Sequence, residues 1–191
     1  TSTWINYQTT SQGPSTFVDV LPYNGDDRGT SFSGTATLSS ATLGGAAATN
    51  GTLFYTTDPA GTVADAPAAS TTWVNATGVD LATIPGITAL KVEIADFGSG
   101  DAGVGSLAVT LAVEGQEIGD VYANTITGKT NDFTFGDGRP AVVEVVGSSL
   151  SGLVWEDLDA DGTLNGAEVG IGGVTVTLVD SVDGEVGTAV T

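Results

Sequence analysis

Apolar and polar residues alternate in short runs along much of this chain. Leu107, Val109, Leu111 and Val113 are interleaved with Ala108, Thr110 and Ala112, and Val174, Val176 and Leu178 with Thr175 and Thr177. Successive side chains of a strand point to opposite faces, so each run puts its apolar residues on one side of a sheet. Comparable segments predict further strands at 17–21, 33–38, 52–57, 89–94, 121–126, 141–146 and 150–155. Turn-forming clusters punctuate them, among them Asn24-Gly25-Asp26, Gly44-Gly45, Asp58-Pro59, Gly98-Ser99-Gly100-Asp101, Asp137-Gly138 and Asp183-Gly184. Runs of Leu, Lys, Glu and Arg suited to long helices are missing. Many short strands with such punctuation predict an all-β chain built of β-sandwiches.

A junction is expected near Gly147-Ser148-Ser149, where an apolar strand gives way to an acidic loop. The expected organisation is a β-sandwich domain at 1–146 followed by a second piece at 147–191. The second piece is too short for a free-standing sandwich. It reads as the first part of a domain whose later strands lie beyond Thr191 or come from another chain.

Composition narrows the function. The 191 residues carry 23 acidic and 4 basic side chains and no His, a formal net charge of −19. Such a surface repels nucleic acid and anionic membranes, and its expected companions are cations. No apolar run approaches the roughly 20 residues of a membrane span, so no membrane insertion is expected and the chain should be soluble. The absence of Cys and His removes thiol catalysis, disulfides, thiolate metal sites, imidazole-bound zinc and a Ser-His-Asp triad. The chain begins at Thr1 and contains no Met, which suggests a processed product or an excised piece. Asp and Glu are scattered through turns, no residue marks a base for a Ser or Thr nucleophile, and Trp4, Trp73 and Trp155 lie far apart in sequence. No aromatic-rich cleft is therefore expected, and the chain is read as not an enzyme.

The sharpest feature runs from Asp157 to Glu168, Asp-Leu-Asp-Ala-Asp-Gly-Thr-Leu-Asn-Gly-Ala-Glu, and fits D-x-[DN]-x-[DN]-G-x5-E throughout. Asp157, Asp159 and Asp161 are spaced to wrap a hard cation, and Gly162 allows the tight turn. Thr163 can offer its backbone carbonyl, Asn165 can bind directly or through water, and Glu168 can close the shell with two oxygens. Without a cation these carboxylates repel one another. The expected ion is Ca²⁺. The flanks, 151–156 and 169–179, are β-like and glycine-bearing, so a helix–loop–helix hand or a dockerin is disfavoured.

Three stretches extend this reading: Leu150-Ser151-Gly152-Leu153-Val154-Trp155-Glu156-Asp157, the sequence Glu168-x-Gly170, and Gly173-Val174-Thr175-Val176-Thr177-Leu178. Together with the loop they closely resemble the B-type repeat of serine-aspartate repeat surface adhesins. The resemblance covers 150–191 and stops before the family's closing strands. It implies a sandwich related to the collagen-adhesin B-type domain, calcium stiffening, and a stalk on the surface of Gram-positive bacteria, anchored to the cell wall through other regions. The stretch Val18-Asp19-Val20-Leu21-Pro22-Tyr23-Asn24-Gly25-Asp26-Asp27-Arg28-Gly29-Thr30, with Gly119-Asp120-Val121-Tyr122-Ala123-Asn124, is more loosely similar to a β-rich domain preceding such repeats in large actinobacterial surface proteins.

Some relatives carry an internal Lys–Asn or Lys–Asp isopeptide bond. The candidates here are Lys91 and Lys129, and Lys91 is expected to face solvent. Secondary cation sites are conceivable at Asn24, Asp26 and Asp27, where a self-capped turn with an Asp–Arg pair is the stronger expectation, and at Asp96 with Asp101. Asn131-Asp132 and Asp137 would lie near the junction, while Asp180 and Asp183 would follow the last strand. The function expected is a non-catalytic, extracellular stalk module in contact with neighbouring domains of a longer chain. Two alternatives are a domain binding a host protein or glycan, and a filament or surface-layer subunit in which like subunits complete one another by strand addition.

Overall fold

A computed structural model describes residues 1–131, 133–136, 138–180 and 184–191, residue 180 in its backbone only. The protein is all-β, with several antiparallel sheets and almost no helix. No helix among the described residues is long and apolar enough to cross a membrane. Internal contacts divide the chain into two units, Thr1–Val146 and Gly147–Thr191.

Unit 1 contains strands β1 (Ser2–Ile5), β2 (Ser15–Val20), β3 (Thr35–Gly45), β4 (Gly51–Thr56), β5 (Val74–Asn75), β6 (Ala89–Ile94), β7 (Val104–Glu114), β8 (Val121–Asn124), β9 (Ile126–Lys129), β10 (Thr134–Phe135) and β11 (Ala141–Glu144). A one-turn helix, α1 (Ala46–Asn50), joins β3 to β4. A three-stranded sheet has the order β1-β7-β3, a six-stranded sheet the order β10-β9-β2-β6-β4-β5, and β11 pairs with β8. Alternation decides which side chains meet. Phe17 of β2 is opposite Val92 of β6, and Val92 is opposite Leu53 of β4, so these three share the inner face of the large sheet. Trp4, Leu38 and Leu107 of the small sheet join them in one core with Leu90 and Ile94. Trp4 stacks on Phe17 at 4.0 Å between ring centroids. Phe17 is 1 % exposed, and Phe17→Ala would cost about 3–5 kcal/mol by opening a cavity between the sheets. Gly128 of β9 lies opposite Phe135 of β10, and a Cβ there would run into the Phe135 ring. Only glycine lets that ring lie down on the strand beside Phe17.

The outer face of the large sheet is also covered. Val18 packs with Ala66 and Ala68, flanked by Val63 and Trp73 of the long β4–β5 connection. That connection is tied down where the Ala66 N–H donates to Thr127 Oγ1 and Trp73 Nε1 donates to the Ala68 carbonyl. Lys91 sits on this face between Val18 and Phe54. The expectation that it faces solvent is overturned, because Lys91 is 8 % exposed. Its ammonium lies 2.6 Å from Glu93 Oε1, 4.6 Å from the Phe54 ring centroid and 5.2 Å from that of Trp73. An alternating strand lysine points to water only if the outer face is wet, and here the connection lies over it. The carboxylate and the two ring faces replace the lost hydration.

Other strand expectations are corrected. Residues 150–155 form no strand and contribute one bridge, Trp155 with Gly170. The expected 121–126 strand is two, β8 and β9, which pair in different sheets. The expected 33–38 strand begins at Thr35 and continues to Gly45 through an irregularity between Leu38 and Ser40. The 141–146 segment is strand only at Ala141–Glu144, and Val142 and Val143 are exposed.

Unit 2 is a hairpin of β12 (Thr175–Asp180) and β13 (Gly184–Val190) preceded by the acidic loop. Val176 is opposite Ala189 and Leu178 opposite Gly187, which collects small and apolar residues on one face and Thr177 with Thr188 on the other. None of the described residues of unit 2 is buried. Val176 and Leu178 are each nearly half exposed.

Candidate metal centre

The loop from Asp157 to Glu168 is closed at its base by two strand-like contacts. The Glu156 N–H donates to the Val169 carbonyl at 3.1 Å, and the Ile171 N–H to the Val154 carbonyl at 2.8 Å. Within that base the backbone turns inward, helped by left-handed conformations at Ala160 (φ 61) and Gly162 (φ 74). The turn aims successive N–H groups at the carboxylates. Asp157 accepts from the N–H groups of Asp161 and Gly162 at 3.2 and 3.0 Å. Asp159 accepts from Asp161 at 3.2 Å, and Asp161 from Thr163 at 2.7 Å. These bonds orient the three side chains without an ion.

The result is a cluster in which one carboxylate oxygen from each of Asp157, Asp159 and Asp161 lies within 4.8 Å of the others. At that separation each like-charged pair costs roughly 1 kcal/mol even in bulk water. Unit 2 contains no Lys, Arg or His to offset this. All three side chains are exposed, so an ion has open access.

The remaining candidate ligands sit around the cluster. Asn165 Nδ2 donates to Asp161 Oδ2 at 3.0 Å and to the Thr163 carbonyl at 3.1 Å. Its NH₂ group therefore supplies partial positive charge to two oxygens that a cation can take, and turning the amide would present Oδ1 instead. Glu168 is not within the aspartate cluster. Its Oε1 accepts from the Leu158 N–H at 2.8 Å and its Oε2 from the Asn165 N–H at 2.9 Å, so both oxygens are held across the loop mouth. The donor set is all oxygen, the chemistry that suits Ca²⁺ with its shell of about six to eight ligands. Three aspartates, the Thr163 carbonyl, Asn165 and a two-oxygen Glu168 supply that number.

Three of the secondary positions, Asn24, Asp26 and Asp96, have other partners. Asp26 Oδ2 pairs with Arg28 Nη2 at 2.7 Å and its Oδ1 accepts from the Thr30 N–H at 3.0 Å. Burial pushes Asp26 up, but the bonds from Thr30 and the Arg28 guanidinium outweigh it and hold the carboxyl below its ordinary range. Asn24 is engaged at both ends by the Phe32 backbone. Asp96 accepts from the Ser11 hydroxyl. Neither set forms a group of three metal-ligating side chains among the described residues. Asp132, Asp137, Asp183 and the Asp180 side chain lie outside the described residues.

The structure also gathers what the sequence did not suggest. Trp4, Tyr7, Phe17, Phe97, Phe133 and Phe135 line one groove of about 570 Å³ in unit 1. This corrects the expectation of no aromatic-rich cleft. The rings come from segments far apart in sequence, and the only signal was the pairing of Phe133 with Phe135. No protein-family model, curated protein or solved structure matches the chain.

Proposed function

We propose that this chain is a non-catalytic, extracellular structural module of a bacterial surface adhesin, stiffened by calcium in its second unit. The observation that carries the reading is the aspartate cluster held ready by backbone N–H groups in a unit without a single basic side chain. Three oriented carboxylates with no internal counter-charge gain most from a divalent cation. Asp157, Asp159, Asp161, the Thr163 carbonyl, Asn165 and Glu168 hold the ion. By cross-linking both ends of the loop, the ion braces the Trp155–Gly170 bridge and the β12–β13 hairpin that follows. The resemblance of 150–191 to B-type repeats supports a stalk role, and the net charge of −19 suits a surface module that resists self-association. An affinity on the order of 10⁻⁴–10⁻³ M suits an extracellular module.

The test is thermal unfolding of the full chain in millimolar calcium and in chelator. A site saturated about 100-fold over its Kd adds roughly 2.7 kcal/mol to the region that binds it. The expected result is a calcium-dependent rise that disappears in Asp159→Ala. Identical unfolding in both buffers overturns the reading.

A further inference from the structure

We propose that the aromatic groove of unit 1 is a binding site for a neutral oligosaccharide. The groove is lined from both β1, an edge strand of the small sheet, and β10, an edge strand of the large sheet. Its floor is structural, since Trp4 and Phe17 are buried and stacked. Its rim is not. Tyr7 is 87 % exposed and Phe133 is 61 % exposed, with Phe133 stacked on Phe135 at 6.2 Å. Neither rim ring contributes to the buried core, so their exposure is a cost to solubility that a ligand would relieve.

The polar part of the lining points to the ligand class. Gln8, Thr10 and Gln12 stand among the rings, and among the described residues no carboxylate, ammonium or guanidinium lines the groove. In a chain with 23 acidic and 4 basic residues, this is a neutral recess in an acidic surface. To a cationic ligand it offers ring faces but no carboxylate partner among the described residues, and the surrounding charge repels polyanions. A pyranose fits both halves of the lining, its C–H faces packing on rings and its hydroxyls bonding amide and hydroxyl groups. An extended peptide is the poorer match, because the sheet edges at the groove are short, four residues in β1 and two in β10. No residue of its described lining belongs to the acidic loop.

The test is calorimetric titration of the full chain, in calcium, with hexasaccharides of β-1,4-glucose, β-1,4-N-acetylglucosamine and mannose. At least one binds with a Kd on the order of 10⁻⁴ M. Tyr7→Ala and Phe133→Ala each weaken it about three- to tenfold, the range for loss of one aromatic contact. Gln8→Ala provides a second probe if Phe133→Ala unfolds, and Asp159→Ala leaves sugar binding unchanged, which separates this site from the metal centre. The proposal is overturned if all three sugars fail to bind at millimolar concentration. It is equally overturned if binding survives in the Tyr7→Ala/Phe133→Ala double variant, or if an uncharged peptide occupies the groove and the sugars do not.

Discussion

Asp19 occupies the inner face of the large sheet, opposite Leu90 on one side and Ile126 on the other, and is 1 % exposed. Asn124 Nδ2 donates to its Oδ1 at 2.9 Å, while Asn124 Oδ1 accepts from Arg28 Nη1, so the amide links the acid to the guanidinium. Burial dominates over these contacts and raises the Asp19 pKa from 3.8 to about 6. The folded state thus holds the proton more tightly than the unfolded chain. Its favourable contribution is complete below about pH 4 and is lost as pH rises through 6. At neutral pH the ionised carboxylate costs on the order of 3 kcal/mol relative to the protonated form. Asp19→Asn keeps the accepting oxygen and removes the charge. The expected outcome is a higher Tm than the parent at pH 7.5 and no difference at pH 4, read by thermal unfolding. A variant less stable than the parent at pH 7.5 but not at pH 4 would mean that Arg28 needs the charge.

The acidic loop and the aromatic groove show, at the scale of elements, why one site was legible and the other was not. All six candidate ligands of the loop lie within twelve consecutive residues, so their spacing already encodes their geometry. The structure adds which backbone N–H groups orient them and that Glu168 spans the loop mouth. Glu168→Gln tests that role. It keeps one accepting oxygen for the loop but loses charge and a second ligand. Calcium affinity, measured by calorimetry, should fall about tenfold or more. Tm in chelator should hold within about 0.5 kcal/mol of stability, as for other exposed substitutions. Equal losses in both would make Glu168 a structural acceptor. The groove needs β1, the β6–β7 connection and β10 to be brought together, which no local pattern states. Lys91 failed for a related reason, since alternation fixes its face but not what covers that face. The strands missed, β1, β5, β10 and β13, are short or glycine-bearing, and tertiary pairing rather than local pattern defines them. The long alternation of β7 could be read directly, because Leu107, Val109 and Leu111 do turn to the core.

At the scale of the whole chain, the two units have different sources of stability. Unit 1 holds a core in which Phe17, Leu90, Val92, Ile94 and Leu107 are all at most 1 % exposed, worth about 1.5–3 kcal/mol for each side chain removed from water. Among its described residues unit 2 has none that is fully buried, and its hairpin face of Val176 and Leu178 stays half open to water. It carries carboxylates with no basic side chain, so both missing burial and self-repulsion weaken it in the absence of a cation. Calcium should therefore act on one unit and not the other. In limited proteolysis with a protease selective for apolar residues, chelator should direct the first cuts into 150–191 and leave a resistant fragment of unit 1. Millimolar calcium should slow those cuts about 100-fold if the site is saturated 100-fold over its Kd, because cleavage follows the population of the open form. High salt in chelator should give only partial protection, since screening relieves repulsion without bridging the loop. Cleavage of unit 2 at one rate in all three buffers would separate its order from the acidic loop and leave calcium without a structural role.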